Sequence, residues 1–368
     1  MSHLDVSGVP GTSAHPLAPY GWDERTAEAF TPHERRGLTP ARVVRVDRGR
    51  CDAVTADGPV RADTAPVAGP DPAQAVCTGD WAALGPGPGP LPEVRALLPR
   101  RTAFVRSTSS KRSEAQVLAA NVDHAVVAVS LAVPPDLGRL ERFLALAWES
   151  GARPLVVLTK TDLAPDAAHA VADAEAVAPG VTVLAVSAVT GEGLDVLAAV
   201  LAGGTAVVLG QSGAGKSTLV NALVGQEVLT VAETRARDGK GRHTTTTREL
   251  FALPGGGVLI DTPGLRGVGL WDAEEGLGRT FADVEELARD CRFHDCAHSV
   301  EPGCAVLAAV DDGTLPERRL ESYRKLLREN RYLAARADAR LRAELRRDWK
   351  QKQALGRHMM ERKRGPRR

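Results

Sequence analysis

From His124 onward the chain alternates continuous apolar runs with amphipathic stretches. HAVVAVSLAV, PLVVLT, VTVLAVS and TAVVLG read as buried strands. Between them, LGRLERFLALAWES puts Leu140, Phe143, Leu144 and Ala147 on one helical face, Asp166 to Val177 forms an Ala-rich helix, and GLDVLAAVLA a further helix. KSTLVNALVG follows a Gly-rich turn, and the strands LFAL and GVLIDT come after a polar loop. This alternation predicts a parallel α/β sheet covered on both faces. Upstream, from Ala41, short Val-rich segments alternate with Asp-Gly and Arg-Gly turns, followed by GDWAAL, a Gly-Pro loop over Gly85 to Pro92, and RTAFVR. Several short strands packed so closely predict a small β-barrel, with an OB-type barrel the first choice and an SH3-like barrel the second. Residues 1–38 are rich in Ala, Pro, Gly, Ser and Thr and read as a disordered arm. After Gly264 the pattern turns helical, and a charged helical region runs from about Pro316 to Gly356. The expected division is an arm (1–38), a barrel (39–106), a linker (107–122), an α/β domain (123–285), a metal-binding helical domain (286–335) and a basic helical tail (336–368).

Composition changes this picture in three places. Aromatics are 4% of the chain, so the cores must be built mainly of Ala, Val and Leu. The net charge is only +1, yet residues 340–368 hold 12 Lys/Arg against 3 Asp/Glu, so a neutral total hides a basic terminus. No apolar run reaches the ~18 residues of a membrane span, and the first 40 residues lack the apolar core of a signal peptide, so a cytoplasmic protein with no membrane partner is expected. Five cysteines are a poor disulfide framework, whereas three of them, Cys291, Cys296 and Cys304, cluster. With a histidine they give C-x₄-C-x-H-x₅-C, a Cys₃His set suited to a closed, structural Zn²⁺ site. His298 and His294 compete for the fourth place.

GQSGAGKS, Gly210 to Ser217, fits G-x-x-x-x-G-K-S after a strand and before a helix, the context a phosphate-binding loop requires. Its glycines let backbone N–H groups wrap phosphates at a helix N-terminus. The expected contacts run through Gly210, Gln211, Ser212, Gly213, Ala214, Gly215, Lys216, Ser217 and Thr218. Lys216 would reach the β- and γ-phosphates, and the Ser217 hydroxyl would bind Mg²⁺. TKTD, Thr159 to Asp162, ends another strand, where a nucleotide base would sit. A carboxylate there accepts from guanine N1–H and N2, a pair adenine lacks, so Asp162 selects GTP and GDP. With Thr159 where an asparagine is usual, an amide donor is lost, while Lys160 and Thr161 complete the loop. In SAVTGEGL, Ser187 and Ala188 form a turn whose backbone would meet guanine O6. DTPG supplies Asp261 toward Mg²⁺ and the Gly264 N–H toward the γ-phosphate, and the intervening GKGRHTTTTREL offers Thr245 to complete the Mg²⁺ shell. A plain surface loop is the alternative reading of that polar stretch.

These motifs occur in rotated order, TKTD and SAVTGEGL preceding the phosphate loop, which is a circular permutation. Together with GDW (Gly79 to Trp81), ANVD (Ala120 to Asp123), GRHTTTT and CRFHDCAHSVEPGC, they closely resemble the circularly permuted, ribosome small-subunit-dependent GTPase A family, RsgA, over roughly residues 40–335. The resemblance implies an N-terminal OB barrel, a permuted P-loop GTPase, a C-terminal zinc domain with His298 as the fourth ligand, and a role in late maturation of the 30S subunit. The implied partners are the 30S subunit and 16S rRNA, bound by a monomer whose GTP hydrolysis the subunit stimulates. The chain departs from the family at Thr159 and in its N-terminal arm.

Leu265 occupies the place after the DTPG glycine where Ras-type enzymes put a water-orienting glutamine. His243 is the nearest polar candidate for that task, and the resemblance points to it as well. In the tail, Leu341, Leu345 and Trp349 fall on one helical side and the other side is Arg-rich, a pattern suited to RNA phosphates or simply to solvent. Two competing functions are a permuted GTPase acting on the large subunit and a non-catalytic RNA-binding protein with a nucleotide fold. The barrel–GTPase–zinc arrangement argues against the first, and intact Lys216, Ser217 and Asp261 against the second.

Overall fold

The computed structural model describes residues 15–107, 115–229, 248–261 and 273–337, with helical positions 340, 343, 346, 347 and 350 beyond them. The chain begins with α1 (Glu24–Glu34) and a five-stranded barrel: β1 (Thr39–Asp47), β2 (Arg50–Thr55), β3 (Gly58–Asp63), β4 (Trp81–Gly85) and β5 (Glu93–Leu97). The order β1-β2-β3-β5-β4 closes through β1–β4 pairing, and β3 meets β5 in parallel. This is OB connectivity, so the first of the two barrel expectations holds. Its core is small and aliphatic, with Ala41, Val43, Ala53, Ala62, Leu84 and Val94 nearly inaccessible.

The arm expected to be disordered is ordered from residue 15. Leu17 is fully buried, and Asp23 caps α1 by accepting from the Thr26 N–H at 2.8 Å. Trp22 meets Trp81 edge-on at 5.1 Å and Phe30 at 5.8 Å. Polar composition suggested disorder, but four apolar anchors, Leu17, Tyr20, Trp22 and Phe30, pack on a barrel face that lies far along the sequence. A second correction concerns RTAFVR and the expected linker. The hairpin β6 (Ala103–Ser107) and β7 (Ala115–Ala120) pairs with itself outside the barrel, and Leu118, Ala119 and Ala120 are fully buried.

The α/β domain follows with β8 (His124–Ser130), α2 (Leu137–Glu149), β9 (Arg153–Thr159), α3 (Ala167–Val177), β10 (Val183–Val186), α4 (Leu194–Leu201), β11 (Thr205–Gly210), α5 (Lys216–Val224), β12 (Glu249–Ala252) and β13 (Val258–Asp261). Its strands run β10-β9-β8-β11-β13-β12, all parallel except β12. One apolar layer packs α2 and α3 on one face, and a second packs α4 and α5 on the other, as the continuous apolar strands require. β12 also pairs with barrel strand β1 through Arg45 and Glu249, so barrel and domain share one sheet.

The remaining helices are α6 (Glu274–Thr280), α7 (Ala282–Ala288), α8 (Ala305–Asp311) and α9 (Glu317–Ala337). They dock on α2 through a buried charge network. Arg319, 2% exposed, donates from Nη1 to Glu141 at 2.7 Å and to the Val177 carbonyl, from Nη2 to the Thr280 carbonyl and Asp283, and from Nε to Asp283. All five guanidinium donors are thus matched. Glu141 is fully buried and also takes Arg318 at 2.9 Å. Arg319→Ala removes the buried cation between Glu141 and Asp283, leaving buried Glu141 with only the exposed Arg318, and is expected to cost about 3–5 kcal/mol in chemical denaturation. A loss under about 1 kcal/mol would show that solvent already reaches the network.

Candidate nucleotide crevice and metal centre

β11 is inaccessible along its whole length and delivers the phosphate-loop sequence at its C-terminal end. Gly210 has φ +142°, and a Cβ there would lie 2.4 Å from the Ala128 carbonyl oxygen on β8, so this close approach needs glycine. Gly213 and Gly215 both sit at φ +79° and turn the loop's N–H groups inward. α5 starts at Lys216 with no side chain capping its first turn, which leaves those N–H groups for an anion. Lys216 Nζ lies back along the loop, donating to the carbonyls of Gly210 (2.9 Å) and Gln211.

Two neighbouring strands end at the same height. Thr159 closes β9, 4% exposed, and its Oγ1 donates to the Ala214 carbonyl at 2.8 Å. Lys160 adopts the left-handed conformation, φ +61°, and its Nζ donates to the Gly213 carbonyl at 2.8 Å. Fully buried Ser187, just past β10, donates from Oγ to Asp162 Oδ1 at 2.6 Å. TKTD, the Ser187–Ala188 turn and the phosphate loop, 22 or more residues apart in sequence, therefore converge at the carboxyl ends of three parallel strands of one sheet, where open α/β sheets bind ligands. Asp162, Leu163, Val186, Ala188, Val189 and Thr218 help line a cavity of ≈ 240 Å³. A second cavity, ≈ 440 Å³, flanks Ser212 and Gly213 and is bounded by Ser130, Asp136 and Arg139. Asp261 ends β13, the strand beside β11. His243, Thr245, Gly264 and Leu265 lie outside the described residues, as do Leu341, Leu345 and Trp349.

The cysteine cluster closes spatially. Ligand atoms of Cys291, Cys296, His298 and Cys304 all lie within 4.8 Å of one another. Cys291 Sγ is 3.8 Å from Cys304 Sγ, and His298 Nδ1 is 3.6 and 3.4 Å from those two sulfurs. A tetrahedron with Zn–S of about 2.3 Å and Zn–N of about 2.0 Å has edges of about 3.8 Å (S···S) and about 3.5 Å (S···N), so this donor set fits zinc. His298 reaches the sulfurs from φ +54°, is 7% exposed and excludes its rival, since His294 is exposed and outside the cluster. Cys304 caps α8 and receives the Leu307 N–H at 3.4 Å. Glu301 braces the ligand loop by accepting the N–H groups of Ser299 and Val300, bonds that hold its carboxyl down at about 2.

A family model described as RsgA GTPase matches residues 97–271. A small ribosomal subunit biogenesis GTPase RsgA of Streptomyces avermitilis is 67% identical over 98% of this chain and 99% of its own length. The chain belongs to the RsgA GTPase family. An RsgA of the same description from Opitutus terrae is 43% identical over 91% of this chain and 95% of its own. The crystal structure of YjeQ from Thermotoga maritima superposes with a TM-score of 0.59 at 26% identity, covering 79% of this chain and 98% of that one. The structure of YloQ, a circularly permuted GTPase, gives 0.55 at 25% identity, covering 79% and 94%. As an RsgA GTPase the chain hydrolyses GTP, and the family implies Mg²⁺ bound with the nucleotide.

One residue of consequence in this RsgA chain escapes motif reading. Arg42 of β1 is fully buried and donates from Nη2 to Thr205 Oγ1 at 2.9 Å, the first residue of the strand that carries the phosphate loop. Its guanidinium lies 4.7 Å from the centre of the Trp81 ring, and burial pushes its pKa down to about 10. In sequence it is one arginine of a Val-rich strand. Only the Asp123, Asn121 and Thr205 corner it enters, where the Thr205 N–H also meets Asp123 at 2.8 Å, reveals it as the join between barrel and GTPase domain.

Proposed function

We propose that this chain binds the small ribosomal subunit during its biogenesis, in the cytoplasm, and hydrolyses GTP in response to it. The observation that carries the reading is the Asp162 carboxylate, fixed by Ser187 and tied through Thr159 to a phosphate loop with Lys216 and Ser217 in place. In this reading Asp162 takes guanine N1–H and N2, and the Ala188 backbone meets O6. The N–H groups from Gly213 to Thr218 hold the phosphates, with Lys216 at the β- and γ-oxygens. Ser217, Thr245 and Asp261 hold Mg²⁺, which when bound neutralises charge developing on those oxygens. The Gly264 N–H senses the γ-phosphate, and His243 positions the attacking water in place of a glutamine. The four zinc ligands keep the segment between α7 and α8 folded as part of a docking surface. RNA contact by the tail is supported by Arg340, Arg346, Arg347 and Lys350, which are helical and exposed. The monomeric protein would thus meet 16S rRNA through basic residues near its C-terminus. Among the described residues no helix is long and apolar enough to cross a membrane.

The experiment is GTP turnover by the full chain alone and with purified 30S subunits. Slow intrinsic turnover, accelerated by 30S and not by 50S subunits, is expected. His243→Ala should lose most of that stimulation while binding GTP normally. Full stimulation in the variant would leave His243 a plain loop residue, and fast turnover without subunits would overturn the coupling.

A further inference from the structure

Asp162 accounts for one edge of a bound guanine, and the opposite edge is unassigned. Guanine presents donors at N1 and N2 and acceptors at O6 and N7, so an N7 contact needs a donor. The polar side chains around the ≈ 240 Å³ cavity are Thr159, Lys160, Asp162 and Thr218. Asp162, ionised, can only accept. Thr159 stands where a donor toward the purine's five-membered ring would be sought, at the end of β9 and 3.5 Å from the Cβ position of Gly215 in the phosphate loop.

A hydroxyl has one proton. The neighbours of Thr159 Oγ1 are two carbonyl oxygens, Ala214 at 2.8 Å and Val129 at 3.4 Å, which can only accept. Because Thr159 is 4% exposed, an unmatched hydroxyl there would be costly, and the proton belongs to Ala214. Lys160 is directed elsewhere, its ammonium anchored on the Gly213 carbonyl at 2.8 Å by the left-handed turn at its own backbone.

We propose that Thr159 clasps the base loop to the phosphate loop and leaves purine N7 without a donor from the base loop, so that this loop recognises guanine by its N1 and N2 edge and not by N7. Nucleotides of 7-deazaguanine, in which N7 is a C–H, are then ligands equal to those of guanine. The inference rests on the guanine reading of the crevice given above. An asparagine at 159 would carry two amide protons, enough for a phosphate-loop carbonyl and for N7 together.

The test is calorimetric titration of the full chain with GDP, 7-deaza-GDP and ADP. GDP and 7-deaza-GDP are expected to bind within about twofold of each other and ADP far more weakly. Thr159→Val, which removes the hydroxyl at similar volume, should weaken GDP and 7-deaza-GDP by the same factor, because it loosens the clasp and not a base contact. Thr159→Asn should create a preference for GDP over 7-deaza-GDP of roughly fivefold to tenfold, the worth of one hydrogen bond. A wild-type preference for GDP of fivefold or more overturns the proposal, as does a Val variant that loses GDP while keeping 7-deaza-GDP. ADP binding as tightly as GDP would instead overturn the guanine reading beneath it.

Discussion

Cys304→Ser is expected to strip the chain of its zinc and to melt the region from 291 to 311 ahead of the rest. Metal analysis of wild type purified without added zinc should give about one zinc per chain, and the variant near none. The segment between α7 and α8 has no helix or strand of its own, and its order depends on four side chains meeting at one point. A structural zinc site of this type is worth about 10–16 kcal/mol of apparent binding free energy, which in so small a region is folding free energy. Serine offers a hydroxyl in place of a thiolate, and since its Oγ can still receive the Leu307 N–H at the start of α8, the loss isolates the metal. The loss should be confined. α9 is held separately by Arg319 on Glu141 and Asp283 and by Arg142 on Glu329, none of which involves the ligand loop. A calorimetric scan should therefore show a new transition below the main one, with a chelator reproducing it in the wild type. A variant with full zinc and one unchanged transition would mean that Cys304 is only a buried thiol.

That confinement could not be read from the sequence, although the ligand set could. Cys291, Cys296 and Cys304 announce a site by spacing alone because their chemistry is local. The choice between His294 and His298 is not local. It is made by the left-handed backbone at His298, which turns Nδ1 inward. The same division runs through the fold. The parallel strands were legible because a strand buried on both faces must be a continuous apolar run, and the phosphate loop because positive φ at Gly213 and Gly215 demands glycine at fixed intervals. The ordered N-terminal segment was not legible. Leu17, Trp22 and Phe30 look isolated in a polar stretch until Trp81 is beside them. Nor were the Arg45–Glu249 join of barrel and sheet or the burial of Arg42 against Thr205, since each partner lies on a distant element. At Thr159 the sequence showed what was missing, an amide, and the structure adds that the hydroxyl keeps the tie to Ala214.

Asp162→Asn is expected to invert base preference, weakening GTP by about 10²-fold to 10³-fold and strengthening xanthosine triphosphate by a similar factor. The geometry sets the sign. Ser187 Oγ donates to Oδ1 of Asp162 at 2.6 Å, and the same hydroxyl also receives the Thr190 N–H at 3.2 Å, which fixes its proton toward residue 162. In the variant this hydroxyl selects the amide rotamer whose oxygen faces Ser187, leaving the NH₂ toward the base. Guanine N2 is itself an NH₂, so two donors then face each other and neither is satisfied. Xanthine carries a carbonyl at that position and accepts. Nothing else in the clasp should change, because Thr159 still holds Ala214 and Lys160 still holds Gly213. The loss should therefore appear as a change of nucleotide and not as a loss of fold, and 30S-stimulated turnover should return when xanthosine triphosphate replaces GTP. Competition of the two triphosphates for the variant, followed by turnover with each, measures both parts. An unchanged preference for GTP would remove Asp162 from the base site. A switch in binding without recovery of turnover would separate base recognition from the coupling to the subunit.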